Sequence, residues 1–479
     1  MTLKLFNTLT REKEEFKPIE EEKVKFYSCG QTIYDDLHIG NAKAYTAWDT
    51  LTRYLRWKGY NVRHVQNITD VGHLTDDGDQ GEDKVEKRAK ELGIEPMELV
   101  EDQIERYFED TKAVNVKRQD IMPRATGHIN EMIEYVQKIY DNGYAYEVDG
   151  NIYFDVEAFA KEYPYGEMAN KDIEQLKEEA KSRVEPDDKK KNQFDFALWL
   201  NSEGSGHLMK WTAKFEIDGK LVKSVGYPGW HIECSIMSQK YLGDEFDIHA
   251  GGKDHIFPHH PNERAQAFAA SGEGQARYWI HNEFIQVEGE KMSKSEGNFY
   301  TVRELLEKGF SGDIIRLYLI STHYRTESDF SIEGLEKAEK ELSRVRSVVQ
   351  KIRKNPGDVD LDNDIESRFK EEMDDDLNTA RAKQELMSYV SRVNSEIEKG
   401  AEPSEEIADT IEELFGILGV NIDPDVSEIE ASLADTLLEL RDDARENEDW
   451  DTSDLIRDRL QDLGFQIEDR DDSSTWLKI

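Results

Sequence analysis

Cys29 and Cys234 are the only two cysteines in the 479-residue chain. In FPHHPNERAQAFAA, His259 and Glu263 stand four apart, on one face of any helix that forms there. Two thiolates, an imidazole and a carboxylate are donor types that Zn²⁺ takes tetrahedrally. The competing reading is two separate buried thiols and a satisfied core histidine. Spacing alone leaves His260 and Glu233 open as further ligands, and it does not bring the distant cysteines together.

Two other short motifs suit phosphate chemistry. His38-Ile39-Gly40-Asn41 follows a β-rich run and opens an apolar-periodic segment. Such a helix start offers free backbone N–H groups and the positive end of the helix dipole. Gly40 would leave room for a base or ribose, while the His38 imidazole and Asn41 amide would add two donors toward a triphosphate. Lys291-Met292-Ser293-Lys294-Ser295 precedes Glu-Gly-Asn, so its two lysines could close over polyphosphate as a clamp. The plain alternatives are a strand-to-helix turn and a solvated basic loop.

The elements that must hold these residues read as alternating β and α. VKFYSCG is a strand ending at Cys29, and HIGNAKAYTAWDTLTRYLRWKGY is a helix with apolar residues at helical spacing. NVRHVQNIT is a second strand, completing the βαβ unit of a parallel sheet. Three helices follow, in EDKVEKRAKELG, PMELVEDQIERYFEDTKAV and ATGHINEMIEYVQKIYDNG. YAYEVDGNIYFDV predicts a hairpin around Asp149-Gly150, opening an insertion whose charged stretch KDIEQLKEEAKSRVEPDDKKKNQ is peripheral. The sheet resumes with FDIHAGG and again before the lysine motif. Beyond about residue 330 the pattern is helical, then NIDPDVSEIE reads as a linker before a last helix and short strands.

The charge balance is 103 Asp+Glu against 62 Lys+Arg, a formal −41. Aromatics at 10% and clear apolar periodicity argue against disorder. The acids are spread along the chain, the pattern of a protein adapted to high salt, where screening relieves self-repulsion. That reading leaves a nucleic-acid partner open. Two cysteines make no disulfide framework, and MTLKLFNTLTREKEEF lacks the apolar stretch of a signal peptide. No run reaches the roughly 18 apolar residues of a membrane span, so a cytoplasmic protein with no membrane partner is expected.

Taken together and in order, the motifs resemble the class I aminoacyl-tRNA synthetases, and within them the cysteinyl-tRNA synthetase family. The resemblance runs through FNTLTREKEEFKPI, CGQTIYD, HIGNA, RYLRWKGY, NITD, PRAT, PGWHIECS, FDIHAGG, FPHH, KMSKS and MDDDLNTARA. It implies a Rossmann-like α/β catalytic domain with a parallel sheet over 1–143 and 226–310, interrupted by a connective insertion at 144–225. A stem-contact region and α-helical bundle would occupy 311–420, with a linker and small α+β anticodon-binding module at 421–479.

The family's chemistry would be activation of L-cysteine by ATP and transfer of the cysteinyl group to the terminal ribose of tRNA(Cys). One Zn²⁺ per chain would be held by Cys29, Cys234, His259 and Glu263, the resemblance choosing His259 over His260. A zinc that takes the substrate thiolate separates cysteine from serine, which differ by one atom of similar size. Gly30, Thr32, Thr69, Trp230 and His249 match amino-acid pocket positions, and Asp254 matches a nucleoside position. His38 and Asn41 would contact ATP phosphates, with Mg²⁺, and Lys291 and Lys294 would hold pyrophosphate. Trp450, Asp454 and Asp469 match anticodon-loop positions, where an exposed Trp could stack on a base and aspartates accept from base amines. The bland reading of Trp450 is a core residue of the small module. A monomer is expected.

Two stretches depart from the family pattern. VGHLTDDGDQGEDK, with an extra His73, follows NITD, and Tyr227 precedes Pro228 where arginine is common. Two rival readings remain: the ligase that joins cysteine to glucosaminyl-inositol, which lacks an anticodon module, and a non-catalytic synthetase paralogue, which would have lost a signature or ligand.

Overall fold

The computed structural model describes residues 2–71, 83–176, 178, 188–287, 289–292, 298–361, 364–422, 428–469 and 474–478. Most of VGHLTDDGDQGEDK lies outside them, as do residues 177 and 179–187 of the charged stretch and Lys294. The chain divides into two compact units, residues 2–304 with 324–328, and residues 305–323 with 329–479.

In the first unit, β1 (Lys23–Ser28) leads to α1 (Ile39–Trp57) and β2 (Asn61–Gln66). β1 and β2 pair in parallel, Phe26 opposite His64, as the βαβ reading requires. Helix α1 turns Trp48, Leu51, Tyr54 and Leu55 inward; all four are buried. α2 (Lys84–Leu92), α3 (Pro96–Ala113) and α4 (Ile129–Asp141) follow. The insertion is a five-stranded antiparallel sheet of β3 (Ala145–Val148), β4 (Asn151–Phe154), β5 (Phe196–Asn201), β6 (Trp211–Ile217) and β7 (Lys220–Pro228), in the order β3-β4-β5-β7-β6. The expected hairpin is there, turning at Asp149 and Gly150, both with positive φ. A second one, β6–β7, turns at Asp218-Gly219 with the same geometry.

The chain then returns to the parallel sheet through α5 (Trp230–Leu242), β8 (Glu245–Gly252), α6 (His259–Ser271) and β9 (Gln275–Asn282). The sheet order is β9-β8-β1-β2, all parallel. From the middle pair the connections run outward in opposite directions, one through α1 and the other through α6. This switch point leaves a crevice beyond the carboxyl ends of β1 and β8, where open α/β sheets bind ligands. Cys29 ends β1 there, and Gly251-Gly252 end β8.

The second unit contains helices Gly312–Leu319, Ile332–Lys354, Ile365–Asp374, Thr379–Glu398 and Glu405–Ile417. Glu428–Glu446 is a further helix, so the end of the stretch expected as a linker is helical. It pairs with Trp450–Asp462 and with a hairpin of Phe465–Asp469 and Ser474–Lys478. Their small core is Ala434, Leu438, Leu460 and Phe465, with Trp476 against it. Trp450 is 58% exposed, which removes the core reading of that residue. Asp454 is exposed and paired with Arg457 at 2.9 Å, while Asp469 ends the first hairpin strand.

Candidate active site

The crevice is a cleft of about 510 Å³. Cys29, Thr69, Trp230, Cys234 and His259 line one part of it, and His38, Gly40, Asn41, Asp254, Met292 and Phe299 another.

At the first end the chain folds the two cysteines together. Cys29 comes from the tip of β1 and Cys234 from the first turns of α5, and their sulfurs are 3.9 Å apart. His259 and Glu263 lie one helical turn apart on α6, with His259 Nε2 3.0 Å from Glu263 Oε1. All four residues are buried, and one ligand atom from each falls within 4.8 Å of the others. Two sulfurs about 2.3 Å from one tetrahedral ion would be about 3.8 Å apart, so the spacing fits Zn²⁺. Cys29, His249, His260 and Glu263 form a second group within the same limit, but it holds a single thiol. Glu233 is in neither group; its Oε2 accepts from the Thr69 hydroxyl at 3.0 Å.

Electrostatics at this end follow from packing anions and imidazoles out of water. The Cys29 S–H donates to Cys234 Sγ, and with help from His259 this brings the Cys234 thiol down to about 6 against burial. Burial pushes the Cys29 thiol well up. Burial also opposes charge on His259, yet Glu263 and Cys234 together raise it to about 10. Glu263 is held below the usual carboxylate range because His249 and His259 outweigh its burial. These directions favour a thiolate and a carboxylate beside an imidazolium, a set whose proton a divalent cation can displace.

The amino-acid pocket positions divide. Trp230 is half-buried with its ring centroid 4.3 Å from that of His259. Thr32 bridges to Thr69. Gly30 packs so tightly that a Cβ there would lie 1.8 Å from the Asn67 carbonyl oxygen, and its N–H donates to Asn67 Oδ1 at 2.8 Å. His249 is fully buried behind Glu263, donating to its Oε2 at 2.9 Å and stacked on Trp279. It orders a cluster residue and does not line the cleft.

The end expected to take a nucleotide, around His38, differs from the sequence expectation. His38 is the N-cap of α1, and its Nδ1 accepts from the N–H groups of Gly40 at 3.1 Å and Asn41 at 3.3 Å. Ile39 N–H donates to the Tyr300 carbonyl and Ala42 N–H to the His38 carbonyl. The first-turn N–H groups expected to be free for phosphate are therefore all taken within the chain. An imidazole that accepts at Nδ1 keeps one donor, Nε2–H, and burial lowers its pKa to about 4. The Asn41 amide donates to Gln31 Oε1 at 2.9 Å. A Cβ on Gly40 would sit 3.0 Å from the His38 ring and 3.1 Å from Met292 Cε, so the missing side chain accommodates those groups. Asp254 is exposed at the cleft edge, and Lys291 closes a short strand, Glu290–Lys291.

Gln31 and His231 were not singled out from the sequence. His231 Nδ1 lies 2.8 Å from His259 Nδ1 and orients that ring from behind. CGQTIYD and PGWHIECS contain these residues, but only the folded contacts give them roles.

Residues 15–340 match the tRNA synthetases class I (C) catalytic domain, 368–423 the DALR domain, and 431–476 the cysteinyl-tRNA ligase anticodon binding domain. Similar proteins include the cysteine–tRNA ligase of Desulfitobacterium hafniense, 42% identical over 99% of both chains. That of Pyrococcus horikoshii is 40% identical over the whole of both. Among solved structures, Mycobacterium tuberculosis methionyl-tRNA synthetase in complex with methionyl-adenylate has a TM-score of 0.58 at 14% identity, covering 86% of this chain and 94% of that one, a likeness of fold. No helix among the described residues is long and apolar enough to cross a membrane. With a class I catalytic domain, a DALR domain and an anticodon-binding domain matched in order, and relatives 40–42% identical over 99–100% of its length, the chain belongs to the cysteine–tRNA ligase family of class I aminoacyl-tRNA synthetases.

Proposed function

We propose that the cleft joins L-cysteine to AMP at the switch point and then passes the cysteinyl group to tRNA(Cys), with recognition at the cysteine end and activation at the His38 end. The carrying observation is that both cysteines, His259 and Glu263 converge within 4.8 Å beside the cleft that His38 lines. In this reading Cys29, Cys234, His259 and Glu263 hold one Zn²⁺ per chain. When bound, the ion supplies a soft acceptor for the substrate thiolate and so favours sulfur over a hydroxyl.

The chain's own residues do the rest. Trp230, Thr32 and Thr69 shape the amino-acid pocket; His249 and His231 fix the Glu263 carboxylate and the His259 ring. His38 Nε2–H and Asn41 reach the ATP phosphates, Asp254 the nucleoside, and Lys291 and Lys294 the pyrophosphate, with Mg²⁺ shared on the phosphates. The cysteine carboxylate attacks the α-phosphorus and pyrophosphate leaves; the terminal ribose hydroxyl then attacks the acyl carbon and AMP leaves. No protein nucleophile is required, because alignment and charge stabilisation lower both barriers. Trp450, Asp454 and Asp469 are assigned to the anticodon loop. The domain limits at 143/144, 225/226, 310/311 and 420/421 are part of the same reading. The protein works as a cytoplasmic monomer, its acidic surface suited to high salt.

The test is tRNA-dependent incorporation of labelled cysteine, run across salt concentration with serine as competitor. Charging that rises with salt and ignores serine is expected. Cysteine-dependent pyrophosphate exchange without charging would overturn the transfer step.

A further inference from the structure

Away from the two cysteines, a second group of ligand-type side chains lies where the inserted sheet meets α2. Asp83 is the N-cap of α2: its Oδ1 accepts from the N–H groups of Val85 and Glu86 at 2.8 and 3.0 Å. Its other oxygen, Oδ2, is buried and has no hydrogen-bond partner, on a side chain with 0% exposure. Facing it at 3.9 Å is Nε2 of His207, from the loop between β5 and β6, likewise buried and without a hydrogen-bond partner.

Glu86 fixes which way this histidine presents itself. Its Oε1 accepts from the N–H groups of Leu208 and Met209 at 2.7 and 2.9 Å and lies 3.1 Å from His207 Nδ1. The 3.1 Å contact of Nδ1 with that carboxylate oxygen favours the tautomer with its proton on Nδ1, which leaves the Nε2 lone pair bare, the carboxylate–histidine arrangement that orients metal-binding imidazoles. The Tyr227 ring, centroid 4.4 Å away, covers the imidazole. The result is a bare nitrogen lone pair opposite a desolvated carboxylate oxygen, too far apart for a hydrogen bond and repulsive without a positive charge between them.

We propose that Asp83 and His207, backed by Glu86, form a second divalent-cation site of the nitrogen–oxygen type that Zn²⁺ fills, pinning the β5–β6 loop to the start of α2. One ligand atom from each of the three residues lies within 4.8 Å of the others. An ion roughly 2.0–2.2 Å from nitrogen and oxygen spans the gap after a sub-ångström approach of the two atoms. Two carboxylates and a neutral imidazole carry a charge of −2, which the ion neutralises. The location has a consequence for the cleft. Lys84, next to Asp83, lines its wall, so the ion would tie the inserted sheet to the edge of the cleft.

The experiment is metal counting on the full-length chain, loaded with Zn²⁺ and freed of excess, then repeated with Co²⁺. Unaltered protein should hold two ions, and Asp83→Asn and His207→Gln one each; Asp83→Asn keeps the capping oxygen and so the helix start. Glu86→Gln should weaken the second ion about 10–100-fold. The sulfur-to-cobalt charge-transfer band should persist in all three variants, since it reports the cysteine site alone. Cys234→Ser should lose that band and keep the Asp83-dependent ion. A single ion in the unaltered chain, with water or a proton filling the gap, overturns the proposal. So does a second ion that survives both Asp83→Asn and His207→Gln. Absence of the sulfur band with the Asp83-dependent ion retained would count against the cysteine site and leave this one standing.

Discussion

The two ends of the cleft are built on opposite principles. At the cysteine end the working groups are buried and bonded to one another: Glu263 is shared by His249 and His259, and His231 backs the His259 ring. At the His38 end, His38 spends its Nδ1 on capping α1, and Lys291 comes from a short strand. On the proposed reading the first end would hold an ion through a fixed framework, so its residues would be structural as well as chemical. On the same reading the second would grip a substrate that must enter and leave, so its residues could act on rate with little effect on stability.

The sharpest break falls at Glu263. Glu263→Ala leaves two imidazoles facing an apolar void and should cost about 3–5 kcal/mol in denaturant unfolding, together with the zinc. Unfolding within 1 kcal/mol of the unaltered chain would show that the cysteine end is not the rigid framework described. Lys294→Ala is the counterpart at the other end. The clamp reading predicts a loss of roughly 10²–10³ in the single-turnover activation rate, about 2.7–4 kcal/mol, with cysteine binding and unfolding unchanged. An unaltered rate would remove Lys294 from the activation step.

How far the sequence could lead also differs between the ends. The cysteine end was legible because ligand types are rare: with two cysteines in the chain, a His and Glu one helical turn apart stand out. The parallel sheet was legible because β1, α1 and β2 each carry their own period. What could not be read was where polar groups spend their hydrogen bonds. HIGN marks a helix start, but nothing in four residues shows that His38 itself caps Gly40 and Asn41, consuming the N–H groups a phosphate would need. Likewise His249 matches a pocket position, yet folding places it behind Glu263. The inserted sheet was half-seen: Asp149-Gly150 was recognised as a turn, while Asp218-Gly219, between alternating WTAKFEI and KLVKSVGY, carries the same signal. The helix Glu428–Glu446 was missed because its acidic, proline-led start resembles a linker.

A third test concerns the floor that both ends share. His64 on β2 stacks on Phe26 at 4.1 Å, bonds Ser28, the neighbour of Cys29, and bonds Thr52 on α1. Thr52 gives its own proton to the Trp48 carbonyl, so it accepts from His64 Nδ1–H; Nε2 then accepts from Ser28. Protonating Nε2 would break that bond, and burial lowers the pKa to about 3. The unfolded value is about 6.5, so the folded chain binds fewer protons below it. Stability from this group is complete above that value and is lost as pH falls toward 3. Between pH 7.5 and 5 the loss should be about 2 kcal/mol, absent in His64→Gln. Equal pH slopes in the two proteins would show that His64 is not held neutral.

The smallest effect separates the two tasks of His38. Asparagine is among the best N-caps, so His38→Asn should keep α1 started and unfold within a few tenths of a kcal/mol of the unaltered chain. His38→Ala removes the cap and should cost about 1 kcal/mol. Both lose Nε2–H, the one imidazole donor the cap leaves for a phosphate, so both should slow activation to a similar extent. If the rate follows stability instead, with asparagine near full activity and alanine slow, His38 serves α1 alone, and the grip on ATP must come from Asn41 and the lysines.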